Sequence, residues 1–123
     1  MGSVTPSTLQ EVALTVSEDE INQYAAITDD YNPIHLDSDF AGRTPMGGVI
    51  AHGTMSLGLI WQMLRRNFGS ERLGKAELSI RFVRPVRPGD TVRAGGTEAE
   101  DGSIAVWVRN QDEIDVIVGS ARL

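Results

Sequence analysis

One stretch limits the folds open to this chain more than any other. From about His52 to Asn67 the spacing predicts a single long helix, in which Met55, Leu57, Leu59, Ile60, Trp61, Met63 and Leu64 cover nearly every direction around the axis. A helix apolar all round belongs inside a protein. Its only charges, Arg65 and Arg66, fall in the last turn, where cations suit the helix dipole. The rest of the chain must therefore supply something that covers it.

The segments that follow read as strands. Ala76, Leu78, Ile80 and Phe82 alternate with Glu77, Ser79 and Arg81, and three more runs cover Thr91 to Glu100, Ser103 to Asn110 and Ile114 to Leu123. Asp101-Gly102 predicts a two-residue hairpin between the second and third of these four. Ile104, Val106 and Val108 point one way; Ala105, Trp107 and Arg109 point the other. Ahead of the long helix, Val12, Leu14 and Val16 mark a short strand. Ser17 then caps a helix from about Glu18, with Glu20 as its capping-box partner and Ile21, Tyr24, Ala25 and Ile27 as its apolar positions. Pro33 stops that helix, leaving Thr28 to His35 as a loop. Asp37-Ser38-Asp39 caps a short turn through Phe40 and Ala41, and Gly42, Pro45, Gly47 and Gly48 mark a second loop.

A sheet can bury one apolar helix by curling around it, an α+β solution with a single core. At 123 residues one domain is expected. Residues 1–8 read as a flexible terminus or a tag remnant, and 9–123 as the domain. Seventeen acidic against 11 basic residues give a net charge of −6, which argues against nucleic acid as a partner. The absence of cysteine excludes disulfides, thiolate nucleophiles and Cys-ligated zinc, and makes a reducing cytoplasm the expected compartment. The first residues lack the basic and apolar regions of a secretory signal. The longest apolar run, Val49 to Leu64, is broken by polar residues and shorter than the ~20 needed to cross a bilayer, so no membrane span is expected.

Candidate chemistry gathers before the long helix. Asp30 and His35 lie five residues apart with Pro33 between them, whose ring restricts the loop and lets an acid and an imidazole converge on one water. Imidazole moves protons near neutrality, and a carboxylate orients the water or acts as the complementary base. The same segment is equally an Asx-Pro turn with a histidine nearby. Tyr31 reads as packing, and Asn32 as a turn former that could also help position the water. Gly53 opens the long helix, where an unpaired N–H reinforced by the dipole can hold a developing oxyanion and a glycine allows close approach. His52 caps or packs there, or contacts substrate. No recognised metal-ligand spacing is present, so no metal is expected. Gly58, inside the helix, reads first as helix–sheet packing, or as close approach of another backbone or of a bound chain, while Trp61 and Met63 read as core or pocket lining. Arg65, Arg66, Arg81, Arg84 and Arg87 are the concentration of positive charge that phosphates would need.

Tyr24-Ala25-Ala26-Ile27-Thr28-Asp29-Asp30-Tyr31-Asn32-Pro33-Ile34-His35-Leu36-Asp37 resembles the hydratase motif of the MaoC-like R-specific enoyl-CoA hydratases. Gly48-Val49-Ile50-Ala51-His52-Gly53-Thr54 resembles the start of their central helix, and Ile80-Arg81-Phe82-Val83-Arg84-Pro85-Val86-Arg87-Pro88-Gly89-Asp90 their strand and bend. The resemblance runs from about residue 10 to the C-terminus. It implies a single hot-dog domain, a curved antiparallel sheet wrapped around one central helix. It also implies a hydro-lyase in which Asp30 and His35 add water syn across a trans-2-enoyl thioester and the Gly53 N–H holds the thioester oxygen. Asn32 and His52 are the candidate substrate-binding residues. The family uses no metal and no cofactor beyond the coenzyme A or phosphopantetheine of its substrate; acyl carrier protein is a candidate partner, and two hot-dog subunits usually pair as a homodimer. Asp29 departs from the pattern, standing where a small residue such as glycine commonly precedes the acid.

Two rivals remain. Hot-dog thioesterases commonly carry their carboxylate on the central helix, and a second dehydratase type uses a helix Glu; His52 to Asn67 has neither Asp nor Glu. A non-catalytic acyl-thioester-binding module is the rival from another class.

Overall fold

The computed structural model describes residues 7–123. Along them run β1 (Ser7–Thr8), β2 (Val12–Thr15), α1 (Glu18–Thr28), α2 (Pro33–Leu36), α3 (Ser38–Gly42), α4 (Gly53–Phe68), a 3-10 turn (Glu71–Lys75), β3 (Glu77–Phe82), β4 (Thr91–Glu98), β5 (Ile104–Arg109) and β6 (Asp115–Arg122). Every pairing is antiparallel, in the order β1-β4-β5-β6-β3, with β2 also on β4. Of the terminus expected to be flexible, residues 1–6 lie outside the described residues, whereas Ser7 and Thr8 pair with Glu98 and Thr97.

Local chemistry sets the boundaries. The Ser17 hydroxyl accepts from the Glu20 N–H at 3.1 Å and starts α1. Ile21 and Ala25 are buried and Tyr24 is half-buried, but Ile27 is 81% exposed and takes no part in the core. The helix closes with Asp29 in the left-handed region, at φ 55°, and with the Asp30 N–H donating to the Ala25 carbonyl. The loop expected from Thr28 to His35 is shorter than predicted. Asn32 caps a further turn by accepting from the Ile34 N–H, Pro33 occupies its first position, and His35 thereby sits on α2.

The long helix differs from expectation in one respect. Ser56, Leu59, Ile60, Met63 and Leu64 form one buried stripe, while Met55, Leu57, Gly58 and Trp61 are only half-buried. The sheet therefore cradles α4 on one side. Ile60, Met63 and Leu64 share the core with Val92, Ala94, Ile104, Val106, Val108 and Ile117. The alternation along β5 is as expected, with Ile104, Val106 and Val108 inward. Its hairpin to β4 is not the two-residue type. The Ala99 carbonyl accepts from the Gly102 N–H and the Ala99 N–H donates to the Ser103 carbonyl, giving a three-residue loop with Gly102 at φ 85°. Gly58 meets nothing either: among the described residues, a β-carbon there would have no atom within 4 Å beyond its own stretch of helix.

Candidate active site

Three segments meet at the N-terminus of α4, and backbone bonds hold them in register. The Ile50 N–H donates to the Ile34 carbonyl at 3.2 Å, and the Ala51 N–H to the Val86 carbonyl at 2.7 Å. Residues 50–52 are thus held between α2 and the bend that follows β3.

His35 Nδ1 lies 2.8 Å from the Ile50 carbonyl oxygen. A carbonyl only accepts, so the proton sits on Nδ1 and Nε2 is left as a bare base. The Asp30 carboxylate accepts from the Asn32 N–H at 3.3 Å, and its side chain is 49% exposed. Asn32 Oδ1 is occupied by the cap of α2. His52 is buried, with Nε2 3.0 Å from the Asp30 carbonyl oxygen and 4.0 Å from its carboxylate. The His35 and His52 rings stack, their centroids 3.9 Å apart and their planes 25° apart. Gly53, the next residue, is first in α4, where an N–H has no acceptor within the helix.

Donor atoms of Asp30, His35 and His52 lie within 4.8 Å of one another, a separation short enough to raise the question of a cation. Near-parallel rings direct their lone pairs side by side instead of toward one point, and His52 Nε2 already faces a carbonyl. The arrangement suits a hydrogen-bonded stack.

His35, His52 and Gly53 line a cleft of about 310 Å³ whose walls include Met46, Ile50, Phe82 and Val83. It can take an apolar chain beside a base and a free helix N–H. Asn32 lies outside it. Of the five arginines only Arg84 lines this cleft; Arg87 donates to the Met46 carbonyl, and Arg65 and Arg66 end α4.

Two contributors were missed by sequence reasoning. Phe82 was expected to share an inward face with Leu78 and Ile80, yet it is 54% exposed and its ring lies on Gly53. The turn of chain at Val83 to Pro85, immediately after it, is the signal that alternation ends there. Tyr24 packs on His52 at 4.9 Å and donates to the Thr54 hydroxyl, linking α1 to α4. Its helical spacing suggested packing only.

An antiparallel sheet cradling one helix, with the segments of Asp30 and His35 packed at that helix's N-terminus, is the hot-dog fold. The family model described as "MaoC like domain" matches residues 3–117, and this chain belongs to that family. It is 38% identical over 96 residues to 3-hydroxybutyryl-CoA dehydratase of Methylorubrum extorquens, covering 73% of this chain and 61% of that protein. With the (R)-specific enoyl-CoA hydratase of Rhodospirillum rubrum the identity is 37% over 83 residues, covering 68% and 58%. The chain therefore spans about three fifths of the length of these two relatives. It is 30% identical over 125 residues to 3-hydroxyacyl-thioester dehydratase Z of Mycobacterium tuberculosis, covering 89% and 76%. Among solved structures, an (R)-hydratase from A. caviae superposes with a TM-score of 0.78 at 23% identity, covering 98% of this chain and 97% of that one. An R-hydratase from Pseudomonas aeruginosa gives 0.77 at 26%, covering 97% and 79%.

Proposed function

We propose that this protein reversibly hydrates trans-2-enoyl thioesters to R-3-hydroxyacyl thioesters. One observation carries the reading: the Nδ1–H of His35 is tied to Ile50, which leaves Nε2 bare on a neutral ring that lines the same cleft as Gly53. The thioester oxygen, which gains charge as water attacks C3, accepts from the Gly53 N–H. Asp30 and His35 hold the water; its oxygen bonds to C3, one proton passes to the pair, and a proton returned to C2 completes the addition. No cofactor is needed beyond the carrier of the thioester itself. Names printed for the relatives, dehydratases and hydratases of acyl-CoA or acyl thioesters, support the same class.

The edge of β3, unpaired among the described residues and followed by the exposed Val83, supports pairing with a second copy, and Arg84 at the cleft supports a phosphate-bearing carrier, coenzyme A or an acyl carrier protein. Among the described residues no helix is long and apolar enough to cross a membrane. A chain with no cysteine asks nothing of an oxidising compartment, which supports the cytoplasm as its place of work.

Incubation with crotonyl-CoA, followed by loss of the conjugated-thioester absorbance, tests the proposal. Asp30→Asn and His35→Ala should each lower kcat by about 10²–10⁴-fold with the fold retained. No turnover of short, long or carrier-bound enoyl thioesters would leave only a binding module; release of free thiol would mark a thioesterase.

A further inference from the structure

We infer that His52 is a positioning residue for the water-handling pair, fixed in the tautomer opposite to that of His35. The inference rests on the hydratase reading of the site. These are the only two histidines of the chain, and they meet face to face.

Their protons are assigned by their partners. His35 gives its Nδ1–H to the Ile50 carbonyl. His52 faces the Asp30 carbonyl through Nε2, so the proton of the neutral ring is there and its Nδ1 is bare. That Nδ1 is buried with no hydrogen-bond partner among the described residues.

Two ordinary reasons for a histidine at this position fail. It stands at the N-cap of α4 yet makes no side-chain cap bond, where a serine or aspartate would. Nor is packing sufficient, because a buried acceptor left without a partner carries a desolvation cost that a phenylalanine of similar shape avoids. What the imidazole does that neither replacement can is hold both members of the pair. Its face fixes the plane of the His35 ring, and its N–H fixes the backbone of Asp30, 22 residues away in sequence. Tyr24 packs on the same ring and ties α1 to α4 through Thr54, so the clamp is itself supported. His52 lines the cleft with a side chain only 2% exposed, so its contacts are with its neighbours, the His35 ring and the Asp30 backbone.

The two functions separate by substitution. His52→Phe keeps a flat ring and loses the N–H; His52→Gln keeps an N–H within reach of the Asp30 carbonyl and loses the stack. Expected are a melting temperature for His52→Phe no lower than that of the parent, and a kcat lower by about tenfold or more because the pair is misplaced. KM should stay within about twofold, since only 2% of the side chain is exposed to the cleft it lines. His52→Gln should recover part of the lost kcat. An unchanged kcat in His52→Phe overturns the inference, as does a raised KM with kcat kept, which would put the ring on substrate. Nitrogen-15 NMR of the unaltered protein at about pH 8, above the ordinary imidazole range, reads the tautomers without turnover. Opposite tautomers support the clamp, and like tautomers overturn it. A parent protein inactive on every enoyl thioester would defeat the hydratase reading and leave the tautomer test standing.

Discussion

The ring of Phe82 lies so close to Gly53 that a β-carbon on the glycine would come within 3.0 Å of Cε1. The wall of the cleft and the first turn of α4 therefore cannot be changed independently. Gly53→Ala pushes the ring toward the space a thioester would enter, and should lower kcat/KM by about tenfold or more. The stability cost should be no more than about 1–3 kcal/mol, because the exposed ring can swing. Phe82→Ala in the same chain should return part of the activity. A double-mutant cycle measures the coupling, and strictly additive effects would contradict the contact.

Asp29 holds a left-handed conformation at φ 55° while ending α1. A side chain pays for that conformation and glycine does not. Asp29→Gly should raise stability in urea by about 0.5–1 kcal/mol. Crotonyl-CoA turnover should be unaltered, since the Asp29 carboxylate faces solvent.

Gly58 has open space beyond its α-carbon in the interior of α4. Gly58→Ala should stabilise the chain by about 0.5–1 kcal/mol through helix propensity and reduced unfolded-state freedom. If the substituted protein instead loses long-chain substrates while keeping crotonyl-CoA, that space belongs to the acyl tail.

The Asp101 carboxyl is held below its ordinary value, first by the Ser103 hydroxyl and then by the Ser103 N–H. An acid with a depressed folded-state pKa contributes stability above its unfolded value of about 3.9, lost as pH falls through the lower folded value. Ser103→Ala should move the Asp101 titration, followed by NMR, upward toward the ordinary range. An unmoved titration would assign the depression to the backbone alone.

Features set by adjacent residues were legible in the sequence. The Ser17 cap and the alternation of β5 need only neighbours or fixed offsets, and the three motifs brought Asp30, His35 and Gly53 into view. Features set by distant partners were not. His52 depends on a carbonyl 22 residues earlier, Phe82 on where an edge strand ends over a helix, and α4 on how far the sheet curves. The hairpin at Asp101-Gly102 was misread because the left-handed glycine serves a three-residue loop as well as a two-residue one.

The peptide of Ile50 meets α2 at both ends, its N–H on Ile34 and its carbonyl on His35, and Ala51 then fastens to Val86. This arrangement sets where the chain tolerates a change of length. A change of length confined to residues 43–49 should leave His35 on the same carbonyl, provided that Met46, a cleft wall held by Arg87, is kept in place. One residue added or removed between Ile50 and Gly53 changes the distance from that carbonyl to the helix N–H, and so separates His35 from the Gly53 N–H. Loop grafts between members of this family should therefore be cut before Ile50, never after it.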